Sequence, residues 1–298
     1  MKGILNILKP PNMTSHDIVS VVRRKLNMKK VGHTGTLDPM AVGVLPVCVG
    51  KATKIIEYLQ TDTKVYRAEL TLGSATDTQD KWGSIIDQME VNVTKEDIIK
   101  VFKEFEGEIL QIPPMYSALK HKGKKLYELA REGIEVKREP RKINIFYLNI
   151  LNILEDKVLF DVKCSKGTYI RTLCHDIGQA LGCGGHMSFL ERLESGVFNL
   201  QNTISVEELN DTDLDEIEKR YLYGIDYPLE FIPRVDAKPS TLKFVLNGVS
   251  LKDGSFTMKT KLKNNDLIRL YIDDKFLALG VYHKNRDYSF IKVKKLFT

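Results

Sequence analysis

Residues 32–50 read GHTGTLDPMAVGVLPVCVG, and this stretch constrains the fold more than any other. Gly32, Gly35, Pro39, Gly43 and Pro46 crowd it too closely for a helix. They predict a fixed, turned backbone that lets a ligand approach. Asp38 lies in that run among Leu37, Pro39, Met40 and Val42. A carboxylate held charged among apolar neighbours is unfavourable unless another group pairs with it, so Asp38 is the first catalytic candidate.

The surrounding chain alternates strand and helix signals. Residues 4–9 predict a short strand, and Thr14 or Ser15 can cap a helix to about Leu26, with Ile18, Val21, Val22 and Leu26 at helical spacing. Residues 51–59 predict a helix with Lys54 near its start. From 64 to 72 the period becomes two, with Tyr66, Ala68, Leu70 and Leu72 on one face and Arg67, Glu69 and Thr71 on the other. Tyr66 therefore points inward; a core tyrosine explains that position too, but its hydroxyl still needs a partner. Residues 74–84 read as a polar loop, and 94–105 as a helix capped by Thr94 and ended by Gly107.

Strands at 143–154 and 157–164 predict a hairpin turning at Glu155 and Asp156. The helix that follows, from about 169 to 181, carries Arg171 in its first turn, where the helix dipole disfavours a cation. Something else must hold that guanidinium, and a buried carboxylate is the obvious partner. Residues 182–198 start loose and turn apolar at Phe189, Leu190 and Leu193, and 205–222 read as an acidic helical connector. Beyond Pro233, a short helix at 241–246 and strands near 267–272, 276–282 and 288–296 indicate a small β-rich domain.

A chain of 298 residues exceeds one ordinary core, so two unequal domains are expected, 1–232 and 233–298. No apolar run approaches the roughly 20 residues of a membrane span, and the N-terminus lacks a signal-peptide pattern, which points to the cytoplasm. Cys48, Cys164, Cys174 and Cys183 form no CxxC pair and read as reduced structural thiols; no metal site is indicated. Residues 1–204 carry 29 basic and 24 acidic side chains, 205–232 carry 2 and 9, and 233–298 carry 14 and 6. Two basic blocks flanking an acidic connector suit a polyanion, although ordinary solvated surface gives the same count. Residues 111–142 add Tyr116 and Tyr127 among Lys120, Lys122, Lys124, Lys125 and Arg131, a mixture that suits looped RNA.

Asp38, Tyr66 and Arg171 thus stand out for chemical reasons. An arginine beside a desolvated carboxylate keeps it ionised, and such a carboxylate can attack the electrophile created when a glycosidic bond is cut. A structural salt bridge beside a core tyrosine would look the same.

Five blocks add a resemblance: KPPNMTS (9–15), the 32–50 run, KVYRAELTLGSATDTQD (64–80), PPMYSALKHKGKKLYELAREGIEV (113–136) and SKGTYIRTL (165–173). In this order they resemble the TruB family of tRNA pseudouridine synthases and span most of residues 3–200. The region after 233 resembles a PUA domain. The resemblance implies isomerisation of uridine to pseudouridine in the tRNA T loop, at the position conventionally numbered 55, without cofactor or metal. Asp38 matches the family's catalytic aspartate, which attacks either ribose C1′ or base C6. Tyr66 matches the tyrosine packed on the target base, and Arg171 the arginine paired with the aspartate. His33 matches a histidine that enters the T loop, Lys9 a lysine near the site, and Leu190 an apolar contact to the flipped base. Lys54, Lys120 and Lys124 complete the candidate RNA contacts.

Two departures stand out: Asn12 replaces the usual glycine, which a left-handed turn tolerates, and Gly185 replaces the usual alanine before His186. The expected fold is α+β, a pseudouridine-synthase-like mixed or antiparallel sheet with flanking helices. An RNA-gripping insertion at 113–142, an acidic connector at 205–232 and a small β-rich PUA-like domain complete it. The expected protein is a monomer that acts on the T arm of tRNA, with no membrane and no protein partner implied. A non-catalytic RNA-binding or tRNA-folding protein would use the same basic surfaces, but would not need Asp38 with Arg171. A glycine-rich phosphate cradle is the weakest alternative, because GxxxxGK[ST] and GxGxxG are both missing.

Overall fold

The computed structural model describes residues 1–59, 63–286 and 288–298. In chain order its strands begin with β1 (Gly3–Lys9), β2 (Val31–His33), β3 (Val42–Val49), β4 (Lys64–Leu72), β5 (Ser74–Thr76), β6 (Ile85–Gln88) and β7 (Gly107–Gln111). Next come β8 (Lys120–His121), β9 (Lys124–Lys125), β10 (Arg141–Leu154), β11 (Lys157–Cys164), β12 (Gly185–Ser195), β13 (Phe198–Asn199), β14 (Ile204–Ser205) and β15 (Leu222–Tyr223). The larger sheet is ordered β14-β1-β3-β12-β4-β11-β10-β7. It is mixed: β1 with β14 and β3 with β12 run parallel, and the other pairs along this path run antiparallel. The expected α+β class is the one observed.

Helices cover this sheet through the apolar stripes that predict them. Helix α1 (Ser15–Leu26) starts at a reciprocal capping box between Thr14 and Asp17, and its Ile18, Val19 and Val22 pack on Leu5, Ile7, Val47 and Val49. Residues 51–59 are not one α-helix: a 3-10 turn (Gly50–Ile55) precedes the short α2 (Ile56–Leu59). Helix α3 (Lys95–Glu104) is capped by Thr94 and sets Phe102 edge-on to Phe160 of β11, centroids 5.2 Å apart. Helices α4 (Leu126–Arg131) and α5 (Ile170–Ala180) follow the β8–β9 hairpin and β11 respectively.

Four further expectations need correction. The run 32–50 is turned only between β2 and β3; from Val42 on it is a buried central strand, whose apolar run lacks the alternation of a half-exposed strand. Pro46 lies opposite Asn6 of β1, in the stretch of β3 between its pairing with β12 at Val42 and Gly43 and its pairing with β2 at Val47–Val49. Residues 74–88 form the β5–β6 hairpin rather than a loop alone. Residues 185–195, in a stretch read as loose at its start and apolar from Phe189, form β12, which joins β3 to β4. Register shifts between Met187 and Phe189 and between Arg192 and Glu194 break its alternation, so the strand pattern is hidden. The connector is likewise segmented, with short helices at Val206–Asp211 and Leu214–Glu216 and a π-helical turn at Ile217–Tyr221.

The C-terminal sheet comprises β16 (Arg234–Ala237), β17 (Leu251–Lys252), β18 (Phe256–Met258), β19 (Leu267–Ile272), β20 (Lys275–Lys284) and β21 (Ser289–Leu296), ordered β17-β21-β20-β19-β16-β18. Val235, Ile268, Leu270, Ala278 and Ile291 fill its core. Leu279 and Phe297 instead join Ile4, Val44, Cys48 and Ile55, so apolar packing ties the two sheets together. Among the described residues, no helix is long and apolar enough to cross a membrane.

Candidate active site

Asp38 occupies the turn between β2 and β3, where the Ala41 N–H donates to the Asp38 carbonyl at 3.1 Å. Its neighbours are fixed by side chains from three other elements. Ser15, at the start of α1, accepts from the Leu37 N–H at 2.8 Å. Lys9, at the end of β1, is fully buried and donates to the carbonyls of Pro10, Pro39 and Ala41 at 2.8, 2.9 and 2.7 Å. Arg192 of β12, also buried, donates to Val44 O at 2.7 Å and to Gly35 O at 3.2 Å. The backbone is therefore held at residues 35, 37, 39 and 41, on both sides of the carboxylate, by bonds that are mostly charge-assisted. Between buried Leu37 and exposed Pro39 the Asp38 side chain is 36% exposed, against the expectation of a buried acid.

Arg171 reaches this carboxylate from the first turn of α5. Its Nη2 donates to Tyr116 O at 2.7 Å and, over a longer 3.4 Å, to Asp38 Oδ1. Its Nη1 lies 3.8 Å from Asp80 Oδ2. Two carboxylates and a carbonyl thus offset the unfavourable dipole position. The helix start is itself held: buried Gln111 accepts from the Tyr169 N–H at 2.8 Å and donates to the Tyr169 carbonyl at 3.1 Å. Asp80 is buried and takes bonds from the Thr78 hydroxyl at 2.7 Å and the Trp82 N–H at 3.1 Å.

Tyr66 lies in register between Val162 of β11 and Arg192 of β12, and Ala68, two residues on, pairs with Leu190. Cross-strand partners share a face, so Tyr66, Leu190 and Arg192 meet on the side where Leu37 and Ala41 also pack. Burial raises the Tyr66 phenol above its ordinary range, the Arg192 guanidinium pulls it back, and the Asp38 carboxylate adds to the rise. Burial likewise pushes the Lys9 ammonium down to about 8; the Asp38 carboxylate opposes that fall and Arg192 adds to it. His33 of β2 is half-buried, with Nδ1 lacking a hydrogen-bond partner, and burial first, then Arg192 and His16, hold its imidazole below the usual range.

The lysine candidates lie elsewhere. Lys54 donates to Leu296 O at 3.0 Å, at the junction with the C-terminal sheet rather than beside Asp38. Lys120 and Lys124 project from the β8–β9 hairpin, where Lys124 meets Glu132 at 3.4 Å. Beside them the Tyr127 ring has Lys125 and Arg131 at 5.3 and 5.5 Å from its centroid. The same segment touches the Asp38 cluster through the Tyr116 carbonyl.

Sequence reasoning missed Ser15 as a clamp, Asp80 and Arg192. Arg192 had a legible signal, since it shares parity with Leu190 once 185–195 is read as a strand. Asp80 had none in a polar segment without periodicity. Of the departures, Asn12 adopts φ +65°, the left-handed turn expected of it. Gly185 is a packing position rather than loose loop, because an added Cβ would lie 2.8 Å from Leu70 Cδ1 and 3.1 Å from Gly178 Cα. Among the described residues, no group of three or more His, Cys, Asp or Glu side chains is placed to hold a metal.

Comparison with known proteins follows the same residues. A model of the TruB family pseudouridylate synthase N-terminal domain matches residues 23–170, and a model of the tRNA pseudouridylate synthase B C-terminal domain matches 171–232. The tRNA pseudouridine synthase B of Alkaliphilus oremlandii (strain OhILAs) is 51% identical over 298 residues, covering 99% of this chain and 98% of that one. The protein of the same name from Clostridioides difficile (strain 630) is 47% identical over 300 residues, covering 100% of each. Among solved structures, a chain of a Cbf5-Nop10-Gar1 complex is similar at TM-score 0.76 and 32% identity, covering 99% of this chain and 85% of that one. A chain of an H/ACA RNP bound to a substrate RNA containing 2′-deoxyuridine is similar at TM-score 0.75 and 30% identity, with the same coverage.

Proposed function

The chain belongs to the TruB family of pseudouridylate synthases, and from that premise we propose that it isomerises one T-loop uridine of tRNA, position 55 by convention, with Asp38 as the nucleophile. The reaction breaks the bond between ribose C1′ and base N1 and joins C1′ to C5; the C5 proton is lost and N1 gains one, so no atom or electron is left over. Chemistry on a stacked base requires its extrusion. The arrangement that supports the reading is the clamped turn, which presents one half-exposed carboxylate to a buried guanidinium at 3.4 Å.

Each side chain then has a task. Arg171 aims Asp38, with Asp80 anchoring the far side of the guanidinium. Tyr66 and Leu190 pack against the flipped base. With its proton retained by burial, Tyr66 enters the reaction as a neutral phenol whose ring packs on the base. Lys9 and Ser15 hold the turn, and His33 takes the space the base leaves. The 113–142 segment, with Lys120 and Lys124, grips the T arm, and the 233–298 unit, with Lys54 at its junction, contacts the tRNA further along. The protein works as a monomer in the cytoplasm on this reading.

The test is to incubate purified protein with unmodified tRNA and map pseudouridine at every position. Asp38→Asn is expected to abolish the product and leave tRNA affinity in place. Wild-type protein that bound tRNA yet formed no pseudouridine would leave only the RNA-binding reading.

A further inference from the structure

Strand β7 ends at Gln111, a buried residue whose backbone pairs with Arg141 of β10. Its side-chain amide engages both backbone groups of Tyr169, accepting from the N–H at 2.8 Å and donating to the carbonyl at 3.1 Å. That is the exchange a neighbouring antiparallel strand would make, performed here by a side chain. The same carbonyl accepts the Leu173 N–H at 3.0 Å, the bond that closes the first turn of α5. Arg171 lies inside that turn. Further along the segment that leaves β7, the Tyr116 carbonyl takes the Arg171 guanidinium at 2.7 Å. The exit of β7 therefore holds Arg171 twice, by the backbone of its turn and by its charged end.

Helix stability alone does not ask for this arrangement. Tyr169 is the N-cap of α5 but makes no side-chain cap bond, and the first turn carries no acid. A substitute cap would bond the N–H of Arg171 or Thr172. Both side-chain bonds of Gln111 go to Tyr169 instead, and fix the peptide groups on either side of it. Burying an amide is costly unless both its ends are satisfied, and here a backbone N–H and a C=O satisfy them together.

We infer that Gln111 is a positioning residue for the reaction: its amide sets the turn that carries Arg171, and with it the 3.4 Å approach of that guanidinium to Asp38. This rests on the reading that Asp38 is the nucleophile. Gln111 acts through Arg171 and not on the substrate, so its loss falls on the chemical step and spares tRNA binding.

The experiment uses the full chain and unmodified tRNA in single-turnover assays at saturating enzyme, with rates taken per folded molecule well below each melting midpoint and tRNA affinity measured separately. Gln111→Leu removes both bonds and is expected to slow pseudouridine formation about tenfold to a hundredfold, with affinity within about twofold of wild type. A merely structural glutamine would lower the melting midpoint and leave these rates alone. Gln111→Glu gives a second readout, which stands even where the apolar variant fails to fold. Protonated, the introduced carboxyl accepts from the Tyr169 N–H and donates to its carbonyl as the amide does; ionised, it has no donor. Burial raises its pKa, so the ratio of variant to wild-type rate is expected to climb as pH falls from about 8 to about 5. In an Arg171→Lys background the Gln111→Leu loss is expected to shrink, because the group it positions is gone. Undiminished rates for Gln111→Leu, a Gln111→Glu ratio flat with pH, or a full loss in the Arg171→Lys background would overturn the inference, while wild-type turnover keeps the enzymatic reading intact. Wild-type protein that bound tRNA without forming product would remove that reading and the inference together.

Discussion

Replacing Lys9 by Met keeps the length and apolar stem of the side chain and removes its charge and its three donors. Three charge-assisted bonds to carbonyls at 2.7 to 2.9 Å are lost. At roughly 1.5 to 3 kcal/mol each they give a gross loss of about 4 to 9 kcal/mol. Against this, the ammonium no longer has to be desolvated: a fall from 10.5 to about 8 corresponds to about 3 kcal/mol. Only the Ala41 bond is fully buried, and water can reach the other two carbonyls, so the low end of the gross figure applies. A net destabilisation of about 1 to 3 kcal/mol follows, read as a lower urea midpoint at unchanged m. The pH dependence has a definite sign. The folded-state pKa lies below the unfolded one, so between about 8 and 10.5 the unfolded chain holds the proton that the folded chain has released. Wild-type stability therefore gains a rising contribution with pH across that window, and Lys9→Met loses it. Because the turn carries Asp38, single-turnover pseudouridine formation should also slow. A variant with wild-type midpoint and the wild-type pH slope would refute the clamp.

Other substitutions separate the parts of the site. Asp80→Asn leaves Arg171 its bond to Tyr116 but loosens its aim, and single-turnover rates are expected to drop about tenfold to a hundredfold, with tRNA affinity little changed; an unaltered rate would remove Asp80 from the site. Gly43 has φ +108°, and an added Cβ would lie 2.3 Å from Arg192 O, so Gly43→Ala should destabilise the fold by about 3 kcal/mol or more in thermal melts. Trp82 is the chain's only tryptophan, is 43% exposed and is tied to the site by its backbone N–H, which donates to Asp80, so tRNA binding should change its emission; an identical spectrum at saturating tRNA would place the RNA elsewhere.

Elements governed by local signals were legible in the sequence, whereas those governed by partners were not. Helix α1 declares itself through its capping Thr14 or Ser15 and its apolar stripe, and β4 through strict alternation from Tyr66 to Leu72. The central strands β3 and β12 lack that alternation, one because both its faces are covered and the other because two register shifts reset its parity. The same physics hid half of the site. Asp38 stood out as an acid among apolar residues and Arg171 as a cation at the wrong helix end, each an anomaly visible within one segment. Asp80 looks ordinary within its segment and acquires meaning only from what faces it, and Arg192 shows only through its parity with Leu190 once β12 is recognised as a strand.

The partners also change what the anomaly at Asp38 means. A buried carboxylate matched to a single arginine would be a structural ion pair, with little of it left to meet a substrate. Here Leu37 and Ala41 are buried and the backbone around Asp38 is bound by Ser15, Lys9 and Arg192, while the carboxylate itself stays half-exposed. Its bond to Arg171 is long at 3.4 Å, and the guanidinium has the shorter bond to Tyr116 O at 2.7 Å. An acid held by its backbone and only loosely by its charge keeps a fixed direction and an available oxygen. Those are the two properties that a nucleophile needs and a structural salt bridge does not, and they come from residues spread across the chain from Lys9 to Arg192.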